Sequence, residues 1–125
     1  MKAHENGFSL IEVLVALVIL AISMLAVAEL CQHSIRFNQH LRNNFDASWI
    51  AKNALAELQL GLIALPTHND AQNQQEILDN TTWKWTASTT KTETASILRA
   101  NIDVTKSGTN NFHYNYQGDI RIKSR

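Results

Sequence analysis

The sequence predicts an α+β protein, in which one long N-terminal helix, membrane-spanning in its first half, packs on a small antiparallel β-sheet. Three observations carry this. From Phe8 to Ala28 an apolar run of 21 residues is broken only by Ser9, Glu12 and Ser23. The chain then runs to about Leu62 without a proline, with apolar residues at Leu30, Phe37, Leu41, Phe45, Trp49, Leu55, Leu58 and Leu62 at spacings that suit an amphipathic helix. Beyond Thr82, short stretches alternate apolar and polar side chains at the two-residue period of strands.

As a helix, the apolar run spans roughly 30 Å, the thickness of a bilayer's hydrocarbon core. It exceeds the apolar region of a secretory signal peptide, and Ala26 and Ala28 make a poor small-residue cleavage site, so the run is expected to stay attached. Lys2 and the initiating amine, set against Glu5, place the N-terminus in the cytoplasm by the positive-inside bias. Amphipathic helix is expected over 29–62. Gly61 is its terminator, and Pro66 bars continuation past Leu65. Residues 63–81, rich in Asn, Gln and Asp from Thr67 to Asn80, read as a loop. The sheet is expected over 82–125, with strands at Thr82 to Ala87, Ile97 to Thr105 and Asn111 to Lys123. Lys106 to Asn110 forms the hairpin turn, and Gly118-Asp119 offers a further turn.

At 125 residues the chain has room for one domain besides its N-terminal segment. Eleven basic residues balance eleven acidic ones, so no net field draws in DNA, and no nucleic acid is expected as a partner. The single cysteine, Cys31, excludes a disulfide framework and reads as a packing residue. No metal or other cofactor is expected. His33 and His40 are seven residues apart on one helix, too far to share a metal ion, and Asp70, Asn73, Glu76 and Asp79 lack the spacing and glycine of a calcium loop. No phosphate loop, nucleophile elbow or Cys-His-carboxylate pattern is present, so the chain is read as neither an enzyme nor a small-molecule binder.

Glu12 is the anomaly of the apolar run, because a carboxylate there costs up to about 3 kcal/mol, less near a helix end. Two readings offset that cost. The carboxylate reaches the interface and the positive end of the helix dipole, or it pairs with a cation in an apolar setting where screening is weak. If the chain were cut before Phe8, the freed α-amine would be such a cation. A neighbour's Glu12 would then set the register of a stack.

The stretch Gly7-Phe8-Ser9-Leu10-Ile11-Glu12-Val13-Leu14-Val15-Ala16-Leu17 resembles the class III signal of type IV pilin-like proteins. The resemblance implies a leader over 1–7, cleavage by a prepilin peptidase between Gly7 and Phe8, N-methylation of Phe8, and Glu12 as the assembly glutamate. It also implies a membrane and later filament-core helix over 8–28 and a periplasmic domain over 29–125. Ala47-Ser48-Trp49-Ile50-Ala51-Lys52-Asn53-Ala54-Leu55-Ala56-Glu57-Leu58 is similar to the A-x-W-x-A-x-N-x-L-A-E-L pattern of I-type minor pseudopilins of type II secretion systems, and Trp83-x-Trp85 fits the same family. On this helix Trp49, Leu55 and Leu58 are read first as core and then as partner contacts. Asn53 stays open between a buried residue bonded to the sheet and an exposed one.

The resemblance implies a single-pass protein of the bacterial inner membrane with its globular domain in the periplasm. Its expected partners are J-type and K-type minor pseudopilins, then the H-type, the major pseudopilin and the prepilin peptidase. Its function would be to help initiate, at the tip, a filament that drives proteins across the outer membrane. A minor pilin of a type IV pilus or DNA-uptake filament shares every feature before about residue 45. An enzyme or binding module merely tethered by the apolar run is the third reading.

Overall fold

The computed structural model describes residues 7–66, 70–108 and 112–122. Its elements are one helix, α1 (Leu10–Leu60), and four strands, β1 (Gln72–Leu78), β2 (Thr81–Lys91), β3 (Ile97–Lys106) and β4 (His113–Arg121). By internal contacts the chain divides into two units, Met1–His40 and Leu41–Arg125.

The described part of the first unit is non-helical at Gly7 to Ser9 and then helix. Ser9 starts that helix with a reciprocal cap. Its hydroxyl accepts the Glu12 N–H at 3.4 Å, while the Glu12 carboxylate accepts the Ser9 N–H at 3.2 Å. Such a capping box satisfies two of the donors that every helix start leaves unpaired. The side chains from Phe8 to Ala28 are exposed throughout, and α1 is long and apolar enough to cross a membrane. Ser23 does not interrupt it, because its hydroxyl donates to the Ile19 carbonyl at 2.7 Å. Cys31 is exposed.

In the second unit, the last turns of α1 lie on a four-stranded antiparallel meander in the order β1-β2-β3-β4. The helix ends at Gly61, whose φ of 72° suits a residue without Cβ. The Gly61 N–H donates to Leu58 O and the Leu62 N–H to Glu57 O, the two bonds of a Schellman stop. Beyond it, the buried Thr89 hydroxyl donates to Pro66 O at 2.6 Å and pins the returning chain to β2.

The helix face turned to the sheet differs from the expected one. Ala47, Ile50, Ala51, Ala54 and Leu58 are buried, whereas Phe37, Leu41 and Phe45 are exposed and Trp49 is 45% exposed. The reason is volume. The sheet supplies most of the bulk, with Trp83, Trp85, Ile102, Val104 and Ile120 turned to the core, so close packing asks for alanine at 47, 51 and 54 beside the larger Ile50 and Leu58. Trp83 is fully buried, edge-on to Phe112 with ring centres 5.7 Å apart. Lys106 Nζ stands 5.6 Å from the Trp83 ring centre and donates to Asn43 Oδ1 at 3.0 Å, tying the end of β3 to the helix.

Two further expectations are corrected. The loop expected over 63–81 contains β1, paired with β2 from Gln72↔Ala87 to Leu78↔Thr81. Its residues lack apolar alternation because an edge strand of this sheet is largely wet, and only Gln72, Glu76 and Leu78 are partly buried. The hairpin closes through Asp79 and Asn80, both at positive φ (48° and 60°), as a two-residue turn of the mirror-image kind requires. Arg42 forms an ion pair with Asp79 and holds this turn against α1.

Gly118 and Asp119 do not turn the chain; they lie inside β4. A Cβ at Gly118 would run into the Leu55 side chain, with Leu55 Cγ at 3.2 Å, so the glycine makes room for the helix. The β2 strand extends to Lys91, past the expected Ala87. Of the expected turn at Lys106 to Asn110, Thr109 and Asn110 lie outside the described residues, as do the strand ends expected at Asn111 and Lys123.

Replacing Ala51 by leucine is expected to destabilise the second unit by about 1–3 kcal/mol through overpacking. Phe45→Ser should stay within about 0.5 kcal/mol. Urea titration of the full-length chain in detergent, read by tryptophan fluorescence, distinguishes the two.

Candidate functional site

Residues of functional interest fall into three places. The first is the start of the described chain. Gly7 lies in non-helical backbone with open space on its Cβ side, and Phe8 is 88% exposed, so the Gly7–Phe8 bond sits in an accessible segment just ahead of α1. Of the expected leader 1–7, residues 1–6 lie outside the described residues. Glu12 is exposed, and its carboxylate is occupied by the Ser9 N–H of its own chain. The Ser-x-x-Glu spacing of that cap was legible in the sequence; what hid it was the attention drawn by the charge itself.

The second place is the twelve-residue helix pattern from Ala47 to Leu58. The structure splits it by direction. Ala47, Ala51, Ala54 and Leu58 face the sheet and are buried, and Leu55 is half-buried over Gly118. Asn53 is half-buried. Trp49, read first as core, instead points outward with Leu41 and Phe45, one helical turn apart each, giving an exposed apolar strip on the half of α1 that carries the sheet. Scattered exposed apolar residues are ordinary, but three large ones in register form a surface suited to another apolar helix.

The third place was not found from the sequence. Glu57, on the edge of the buried helix face, and Glu76, on the helix-facing side of β1, line a concavity of about 180 Å³ together with Ala54, Gln74, Gln75 and Trp85. Burial, and then the charge of Glu57, push the Glu76 carboxyl up from its ordinary value of 4.5. Among the described residues the ion pairs are Arg42–Asp79, Arg99–Asp119 and His113–Asp103, so neither glutamate has a cation. No sequence signal joins residues nineteen positions apart across a helix stop and the segment that leads into β1.

Among the described residues no cluster of three or more His, Cys, Asp or Glu side chains could hold a metal ion. His33 and His40 are both exposed on α1.

The family model for the type II secretion system (T2SS), protein I, matches residues 41–117, and the model for the prokaryotic N-terminal methylation motif matches residues 2–28. Comparison with curated proteins gives no significant match, and neither does comparison with solved structures. The two matched stretches meet the three places just described, the first at Gly7 to Glu12 and the second across the outward helix strip and the sheet.

Because the Glu76 pKa is raised on folding, its contribution to stability is fully present below pH 4.5 and is lost as pH rises through the raised folded value. Glu76→Gln is therefore expected to stabilise the chain at pH 7 relative to the parent, with the advantage shrinking toward pH 4. Denaturation midpoints of both chains across that range check the sign.

Proposed function

We propose, from the premise that the chain belongs to the protein I family of the type II secretion system, that it is a minor pseudopilin working at the tip of the pseudopilus, where it helps initiate the filament that moves proteins across the outer membrane. The observation that carries this is the reach of the family match: residues 41–117 are the part of the chain in which a secretion subunit and a pilus subunit differ. A type IV pilus or DNA-uptake subunit would account only for the N-terminal motif over 2–28.

The mechanism is geometric. A prepilin peptidase cuts the exposed Gly7–Phe8 bond and methylates the new Phe8 amine. The apolar half of α1 first holds the subunit in the inner membrane, its sheet in the periplasm, and then exchanges lipid for neighbouring helices. Lipid tails are as apolar as leucine, so this exchange gains little from burial itself, and polar registration must supply the specificity. Glu12 supplies it by leaving the Ser9 N–H for a neighbour's amine. Outside the membrane, Leu41, Phe45 and Trp49 offer the apolar strip on which the helices of other pseudopilins lie, the J-type and K-type first, the H-type and the major pseudopilin next. The covalent steps are the maturation cut, which consumes water, and the methylation, in which a methyl donor bound by the peptidase gives its methyl group to the amine and the amine loses a proton; this chain itself holds no cofactor for either.

Mass spectrometry of the chain from cells with and without the peptidase should show loss of Met1 to Gly7 and a methyl group on Phe8 only when the enzyme is present. A chain that keeps Met1 in proficient cells overturns the reading. The double variant Phe45→Ser, Trp49→Ser should fold as the parent does yet co-purify with the other minor pseudopilins at a yield lowered about tenfold, the equivalent of roughly 1.4 kcal/mol.

A further inference from the structure

The sheet has two outer edges, and they are not alike. At the β4 edge, Gln59 Nε2 donates to Asp119 O at 3.2 Å, so a helix side chain occupies a strand carbonyl, and Leu55 overhangs Gly118. At the β1 edge, none of the described residues pairs with the strand's outer side. Of the usual edge protections β1 carries one, the inward-facing charge of Glu76, and lacks the others. Its sequence Gln72-Asn73-Gln74-Gln75-Glu76-Ile77-Leu78 has no proline and no lysine, and it stays in regular register with β2 over its whole length. An edge without proline, lysine or a bulge is a template for a further strand, and its one inward charge favours a strand that neutralises it.

The notch formed by Glu57, Glu76, Gln74, Gln75, Ala54 and Trp85 opens beside this same edge, because β1 is the strand that lines it. Its volume, about 180 Å³, falls below the roughly 300–1,000 Å³ of small-molecule sites and suits one side chain. Its chemistry suits a cation: two carboxylates without a counter-ion among the described residues, amide oxygens from glutamines, and an indole wall. Burial, and after it the negative charge of Glu57, push the Glu76 carboxyl up in this notch.

The geometry points to β1 as a docking edge for an extended segment of another pseudopilin subunit, which adds a strand to the sheet and places a lysine or arginine between Glu57 and Glu76. Backbone pairing supplies the affinity and the carboxylate pair selects the register, the division of labour usual in strand addition. This rests on the protein I reading for the identity of the partner, but the edge is distinct from the apolar strip at Leu41, Phe45 and Trp49. The two surfaces therefore make separable contributions to one complex.

The test is hydrogen exchange of the full-length chain in detergent, alone and co-purified with the other pseudopilins of the same secretion system. Amides of residues 72–78 are expected to exchange about tenfold more slowly in the complex. Glu57→Lys with Glu76→Lys should abolish that slowing while the complex persists through its helices, whereas Lys84→Glu, on the opposite sheet face, should leave it intact. Circular dichroism verifies that each variant folds, and Glu76→Gln, which removes only one charge, should show an intermediate slowing.

A complex that forms with β1 exchanging as it does in the free chain overturns the inference and leaves the protein I reading standing. Failure to form any complex sinks both. Protection in the chain alone that rises with its concentration would make the occupant a second copy. Protection by calcium chloride alone would make the notch a cation site. Either result refutes the proposed partner.

Discussion

The second unit depends on the fit of three alanines against two tryptophans. Ala47, Ala51 and Ala54 leave hollows beside Ile50 and Leu58 on the buried face of α1, and Trp83 and Trp85 rise from β2 in the same core. Interiors pack to crystal density, so bulk added on the helix side would have to be removed on the sheet side. The same demand appears at Gly118, where β4 gives up its side chain to admit Leu55. Once the helix is seated this closely, Arg42 and Asn43 come within reach of the hairpin ends at Asp79 and Lys106, and Glu57 comes to face Glu76. Both the clamps and the acidic notch are consequences of the alanine face.

That arrangement explains which parts of the molecule were legible in advance. The apolar run after Gly7 was plain, because crossing a bilayer imposes length and composition on a sequence whatever it packs against later. β2 and β3 were legible because one face of each is buried, and burial enforces alternation, as in Trp83-Lys84-Trp85 and Ile102-Asp103-Val104. β1 was not, since a wet edge strand carries no such mark, and its turn uses Asp79-Asn80 in place of the glycine that usually announces a tight hairpin. The motifs Gly7-Phe8 and Glu12 and the helix pattern from Ala47 to Leu58 led to the family that the comparison then matched.

Trp49 was misread for an instructive reason. Large apolar residues on a helix are assigned to the core because most helices bring bulk to their sheets. Here the sheet already has it, so the helix's own aromatics are left over for the outside. A helix that shows alanine at positions 47, 51 and 54 beside a tryptophan pair elsewhere in the chain is signalling this inversion. Residue size, in addition to polarity, has to be balanced across the two layers before a face is assigned.

In the proposed filament, the cap at Ser9 and Glu12 would bear on how firmly one subunit holds the next. Its carboxylate is never bare, since the chain's own backbone already satisfies it. A foreign amine that takes it over replaces one hydrogen bond with a charged one, so the net strength is a difference between two contacts and not the whole of either. In the filament proposed above, a joint of such small net strength would be readily exchangeable, so neighbouring subunits could be swapped without first breaking a strong contact.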